Sequence, residues 1–197
     1  MNGKPKILAF SGSARTGSLN QKLAAVAARA VEAAGGEVTL INLRDYPIPL
    51  YDGDLETAHG IPENARALKT LFKAHQGLLI SSPENNASVS ALLKNTLDWI
   101  SRQDGAESGL VPYQGKVAGL LAASPGNFGG IRGLPHLRAI CQTLGVLVLP
   151  NQVAVTQAAK AFSADGELVD ERHRAAVKGL AERLVDACRR LGEPLST

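Results

Sequence analysis

A doubly wound α/β fold, with helices on both faces of a five-stranded parallel sheet, is predicted by three observations. Short apolar runs alternate along the chain with longer segments whose apolar residues recur at helical spacing. The short runs are apolar at successive positions, as strands buried on both faces are. The turn formers Gly, Pro, Ser and Asn gather after three of these runs. Strands separated by helices make βαβ units, and such units make parallel sheets.

The elements follow in order. Residues 5–10 are a short apolar run closed by Ser11-Gly12-Ser13, hence a buried strand. Residues 20–34 combine strong helix formers with apolar residues at helical spacing and stop at Gly35-Gly36. Residues 37–43 alternate and carry β-branched side chains, giving a second strand. Residues 44–62, with three prolines, are expected as a long loop. An amphipathic helix at 63–75, a third strand at 77–82 and a helix at 89–101 come next. A fourth strand at 115–124, a helix at 134–145, a fifth strand at 146–150 and a closing helix at 170–191 complete the pattern. The alternation does not fix strand order, and 2-1-3-4-5 is one standard solution. No repeat or linker interrupts the 197 residues, so residues 1–197 are expected as a single domain.

Composition removes several functions. With 45% hydrophobic and 20% charged residues, the chain is globular and not disordered. The formal net charge of +3 is spread along the chain without a basic tract, so nucleic acid is not an expected partner. No apolar run approaches a signal peptide or a membrane span, which points to a soluble, cytoplasmic protein without a membrane partner. Cys141 and Cys188 lie far apart without a C-x-x-C, and His59, His75, His136 and His173 are scattered, so no metal site is expected. The G-x-S-x-G elbow of serine hydrolases is missing. A catalytic protein of this kind would leave the chemistry to a cofactor.

In a doubly wound sheet, ligands bind outside the carboxyl ends of the strands. Three loops reach that edge: 11–20 (SGSARTGSLN), 81–88 (SSPENNAS) and 123–130 (ASPGNFGG). The first has the glycine spacing of the nucleoside-triphosphate loop G-x-x-x-x-G-K-S/T, but Ser18 stands where the lysine belongs. Hydroxyls of Ser13, Thr16 and Ser18, the amide of Asn20, the Arg15 guanidinium and a helix N-terminus suit one terminal monophosphate. Ser18 and Gln21 also have capping-box spacing, so the same stretch reads as a helix cap. In the second loop Pro83 stiffens the chain, and the backbone amides of Glu84, Asn85 and Asn86 could line the edge of a flat heterocycle. Gly126, Gly129 and Gly130 permit close backbone approach to a ligand, and Phe128 could cover a ring. Lys94 and Asp98 read as a surface i,i+4 pair.

Together these stretches resemble the NAD(P)H-dependent FMN reductase family, which has a flavodoxin-like fold and includes quinone, azo and chromate reductases. Its phosphate loop, G-S-x-R-x-x-S-x-N, is matched by Gly12, Ser13, Arg15, Ser18 and Asn20. Its middle signature, S-P-E-Y-N-x-S-x-x-x-x-L-K-N-x-x-D-W, is matched from Ser82, Pro83 and Glu84 to Asp98 and Trp99, except that Asn85 replaces the tyrosine. Ser124, Gly126, Gly129 and Gly130 match S-x-G-x-x-G-G.

The resemblance implies a sheet of order 2-1-3-4-5, FMN as cofactor and NAD(P)H as co-substrate. It implies that Ser13, Arg15, Ser18 and Asn20, with Leu19 between them, hold the FMN phosphate. Pro83, Glu84, Asn85 and Asn86 would border the ring on one side, and Ser124, Gly126 and Gly129 on the other. It further implies a homodimer or homotetramer, with the apolar helix ending at Trp99 as a contact surface, and hydride passing from NAD(P)H to free FMN, a quinone or a similar small-molecule acceptor. No catalytic side chain is nominated. Without the tyrosine at 85, an aromatic wall worth roughly 1–3 kcal/mol is absent. Arg102 and Arg132 are candidates for a nucleotide 2′-phosphate, although surface roles suit them better. A flavin-binding electron carrier or sensor without NAD(P)H turnover is the alternative function, and a phosphate-ligand enzyme without flavin a further one.

Overall fold

Alternate residues of the central strands feed two separate cores. The computed structural model describes residues 3–191; the ends of the expected 1–197 domain lie outside the described residues. Five strands form a parallel sheet: β1 (Lys6–Ser11), β2 (Glu37–Asn42), β3 (Gly77–Ser81), β6 (Val117–Ala123) and β7 (Leu147–Val155). Their order is β2-β1-β3-β6-β7, the expected flavodoxin-like order with two short strands inserted in the numbering. Ile7 and Ala9 of β1 and Leu79 of β3 face one core with α1 (Leu19–Ala33) and α6 (Glu171–Leu191). Leu8, Phe10, Leu78 and Ile80 face the other, under α3 (Glu63–Ala74), α4 (Ala91–Ile100) and α5 (Gly133–Thr143). Each such Leu, Ile or Phe side chain, withdrawn from water, contributes roughly 1.5–3 kcal/mol. Helices therefore cover both faces, as the apolar runs require.

Three stretches differ from the sequence expectation. The loop at 44–62 contains a helix, α2 (Gly53–His59), capped by the Asp52 carboxylate, which accepts the N–H of Asp54 at 2.8 Å, and ended by Gly60 at φ 71°. None of its residues is buried, so it carries no apolar stripe to announce it. The loop after β3 holds a hairpin, β4 (Glu84–Asn85) with β5 (Ser88–Val89). Its two turn residues, Asn86 and Ala87, have φ of 50° and 64°, both in the left-handed region of a type I′ turn. Finally, β7 continues past Pro150 to Val155, with a register irregularity opposite Ala118 and Leu120. Proline is tolerated because β7 is an edge strand.

The start of α1 is fastened to the sheet by one buried side chain. Asn20 is 4% exposed. Its Nδ2 donates to the Ala123 carbonyl at 2.9 Å, and its Oδ1 accepts from Ala123 N–H at 2.9 Å and from Ser81 Oγ at 3.0 Å. One amide thus joins α1 to the carboxyl ends of both β3 and β6. Truncation would leave the Ala123 N–H and carbonyl without partners in a dry interior. We expect Asn20→Ala to lower stability by about 2–4 kcal/mol, read as a shift in the urea-unfolding midpoint.

Candidate functional site

The first loop turns hydrogen-bond donors outward because its acceptors are tied back. Four successive carbonyls are occupied from inside the chain. Gly12 O accepts from Ser90 Oγ at 2.6 Å, Ser13 O from Gln21 Nε2 at 2.9 Å, Ala14 O from Arg44 Nε at 2.9 Å and Arg15 O from Ser18 N–H at 3.1 Å. Among the described residues, no protein acceptor takes the N–H of Ala14, Thr16, Gly17, Leu19 or Asn20. The first turn of α1 has no acidic side chain, and Arg15 has no carboxylate partner among the described residues. The positive end of the helix dipole is left uncompensated by the protein itself.

This loop borders a cleft of about 590 Å³ at the carboxyl ends of β1, β3 and β6, within the size range of small-molecule sites. Of the residues expected to bind a cofactor, Ser13, Arg15, Ser18, Leu19, Asn20, Pro83, Glu84, Asn85 and Ser124 line it. Gly12 packs against α4 and Pro83: a Cβ there would lie 2.9 Å from Leu93 Cβ. Asn86, Gly126 and Gly129 lie outside the lining. Asn86 forms the hairpin tip. The Gly126 N–H donates to Ser124 Oγ at 3.3 Å. Gly129, at φ 60°, presses against β7, where a Cβ would come 2.9 Å from the Val155 carbonyl carbon.

Individual residues take more specific parts than their motifs suggested. Ser18 is 2% exposed and caps α1, accepting Gln21 N–H at 3.4 Å. The capping box is only half formed, because Gln21 reaches Ser13 O and, at 2.8 Å, Asn42 Oδ1. The Asn20 side chain is spent on the sheet, leaving its backbone N–H for the cleft. Gln21, Arg44 and Ser90 are the supports that sequence reasoning missed. Nothing local in the sequence pairs them with the carbonyls they occupy.

Glu84 departs most from its expected backbone role. Its side chain is 8% exposed and ion-paired with Arg132. Its Oε2 also accepts the N–H groups of Arg132 and Gly133 at 2.9 and 3.3 Å. Burial pushes its carboxyl pKa up, but the Arg132 guanidinium and the two N–H groups outweigh this and hold it below the ordinary value.

The other candidates are structural. Arg102 is held by Glu56 at 2.9 Å, so neither it nor Arg132 is a free cation. Trp99 is fully buried, donates to Pro49 O at 2.8 Å and packs edge-on against Tyr51. The apolar face of α4 is therefore consumed inside the chain. Lys94 pairs with Asp98 at 2.7 Å, as expected. Cys141 and Cys188 are buried thiols whose pKa values burial raises to about 12. Among the described residues, no cluster of His, Cys, Asp or Glu could hold a metal, and no helix is long and apolar enough to cross a membrane.

The fold and the donor-rich loop at its switch point define a flavodoxin-like protein with a cleft rich in hydrogen-bond donors. Comparison with known proteins narrows this. Residues 5–160 match the family described as NADPH-dependent FMN reductase. The chain is 34% identical over 192 residues to an NAD(P)H-dependent FMN reductase of Pseudomonas aeruginosa, covering 97% of this chain and 99% of that one. It is 32% identical over 173 residues to a quinone reductase of Escherichia coli K12, covering 87% and 88% of the two chains. The structure of FerB, a flavoenzyme NAD(P)H:(acceptor) oxidoreductase from Paracoccus denitrificans, superposes with a TM-score of 0.81 at 26% identity, covering 96% of this chain and all of that one. The chain belongs to the NADPH-dependent FMN reductase family, and is an oxidoreductase that works with FMN and NAD(P)H.

The Glu84 interaction has a pH signature. A carboxyl whose folded pKa is depressed stabilises the fold above its unfolded pKa, and that stabilisation is lost as pH falls through the folded value. The stability gap between the wild-type protein and Glu84→Gln is expected to shrink as pH drops from about 5 to about 3, measured by urea unfolding across that range.

Proposed function

We propose that the cleft holds FMN with its phosphate against residues 13–20, and that the enzyme passes hydride equivalents from NAD(P)H to free FMN, a quinone or a similar small acceptor. The observation that carries the reading is the run of four tied-back carbonyls, which leaves backbone N–H groups, the Arg15 guanidinium and a helix N-terminus for a single dianion. A triphosphate would call for a lysine and a magnesium-binding carboxylate, and Ser18 is a buried cap instead.

The donor set therefore suits FMN. Ser13, Arg15 and the first turn of α1 would hold the phosphate; Pro83, Glu84 and Asn85 would border the ring opposite Ser124. Bound FMN supplies the redox chemistry, and the chain's task is to position two flat molecules and exclude water between them. No side chain in the cleft lining is required to move a proton for hydride exchange. Two exposed apolar side chains, Phe128 at 63% and Ile131 at 52%, support assembly as a homodimer or homotetramer through the face beside the third loop. The names of the relatives, an FMN reductase and a quinone reductase, support this acceptor class.

Arg15→Ala is expected to weaken FMN binding by about fivefold or more, equivalent to about 1 kcal/mol, with riboflavin binding unchanged. Fluorescence titration measures both. Unaltered FMN affinity would remove the phosphate from this loop. In the same preparation, steady NAD(P)H oxidation on addition of a quinone is expected; FMN binding without turnover would identify an electron carrier instead.

A further inference from the structure

We infer that the Glu84 carboxylate is a positioning residue: it locks the second loop to the third and so sets how tightly the cleft grips the ring end of a flavin. This rests on the reading of the cleft as a flavin site. Glu84 and Asn85 lie on one wall of the cleft, and Ser124 and Pro125 on the other. Nothing in the sheet itself fixes the distance between these walls, because both are loops beyond the strand ends.

The Glu84 side chain bridges them. It runs past two glycines of the third loop and the start of α5. A Cβ on Gly130 would lie 3.7 Å from Glu84 Cβ, and one on Gly133 would lie 3.6 Å from Glu84 Cγ. Its Oε1 then accepts from Arg132 Nε at 2.8 Å, while Oε2 takes the two backbone N–H groups. Helix α5 has no side-chain cap of its own at Arg132, so the second loop supplies the acceptor for the Arg132 N–H and shares the Gly133 N–H with Gly130 O. The Arg132 guanidinium lies over the Phe128 ring, 5.2 Å from its centroid, which carries the link back into the third loop. Among the described residues, no other hydrogen bond joins residues 83–89 to residues 124–133. A second polar link, between His136 Nδ1 and Ser88 Oγ at 2.9 Å, joins the hairpin to α5 one turn further on, so the carboxylate carries the polar connection at the cleft itself.

The phosphate end is built from the first loop and α1, and none of the ties on its carbonyls involves Glu84 or Arg132. The two ends can therefore be separated by comparing FMN with riboflavin, which lacks the phosphate. Both flavins are titrated by fluorescence against the wild-type protein, Glu84→Ala, Glu84→Gln and Arg132→Met. Glu84→Ala is expected to weaken riboflavin and FMN by the same factor, about tenfold or more. Arg132→Met, a change at a half-exposed side chain, gives a smaller loss, again equal for the two flavins. Glu84→Gln recovers part of the affinity, because its amide oxygen still accepts a backbone N–H.

A loss confined to FMN would overturn the inference, as would unchanged affinity for both flavins in a folded Glu84→Ala protein. Hydrogen exchange reads the lock without ligand: the Arg132 amide should exchange faster in Glu84→Ala while those in the middle of α6 do not change. Equal protection in the two proteins would overturn it. A wild-type protein that binds neither flavin would overturn the cofactor reading and this inference with it, whereas the other adverse results overturn the lock alone.

Discussion

Asn20 sits in the first turn of α1 with both ends of its amide consumed by Ala123 and Ser81, and the placement of the cleft follows from that buried bond set. It fixes the helix N-terminus beside the carboxyl ends of β3 and β6, next to the β1–β3 boundary where the sheet's connections turn in opposite directions. An aspartate could not donate to the Ala123 carbonyl, and an apolar residue could satisfy neither group of Ala123. Only a side chain with adjacent donor and acceptor serves two strands at once. Because the bonds lie in a dry interior, their loss costs more than their formation gains, and the geometry is correspondingly rigid.

On that frame the first loop becomes the proposed anion site by subtraction. Gln21, Arg44, Ser90 and the turn at Ser18 each remove a carbonyl from the cleft side. What remains is donors, together with a helix dipole that no local acid offsets. The missing lysine of the triphosphate loop is consistent with this: a single terminal phosphate needs enclosure more than it needs a chain of charges. At the other end of the cleft no aromatic wall stands at Asn85, so the spacing of the two loop walls, held through Glu84, carries more of the burden of gripping a ring.

The central strands were legible in the sequence because buried parallel strands must be apolar on both faces, and Leu8-Ala9-Phe10 or Leu78-Leu79-Ile80 can be little else. Helix α2 was not, since none of its residues is buried and periodicity needs a dry side to show. The hairpin at 84–89 was hidden by the brevity of its strands, and its Ala87 at φ 64° occupies a conformation that usually announces itself with glycine. Motifs found the three loops, but not the division of labour within them. Asn20 reads as a phosphate ligand until Ala123 is brought within reach, and Glu84 reads as a backbone donor until the third loop returns to meet its carboxylate. Such roles depend on which distant groups the fold delivers, and no local pattern encodes that.

The proposed flavin mononucleotide site of the three loops is tested most directly by the visible absorption spectrum of the purified protein, before and after addition of FMN. Flavin bands are expected to shift and sharpen on binding and to saturate at one FMN per chain. A colourless protein whose addition leaves the spectrum of free FMN unchanged would contradict it.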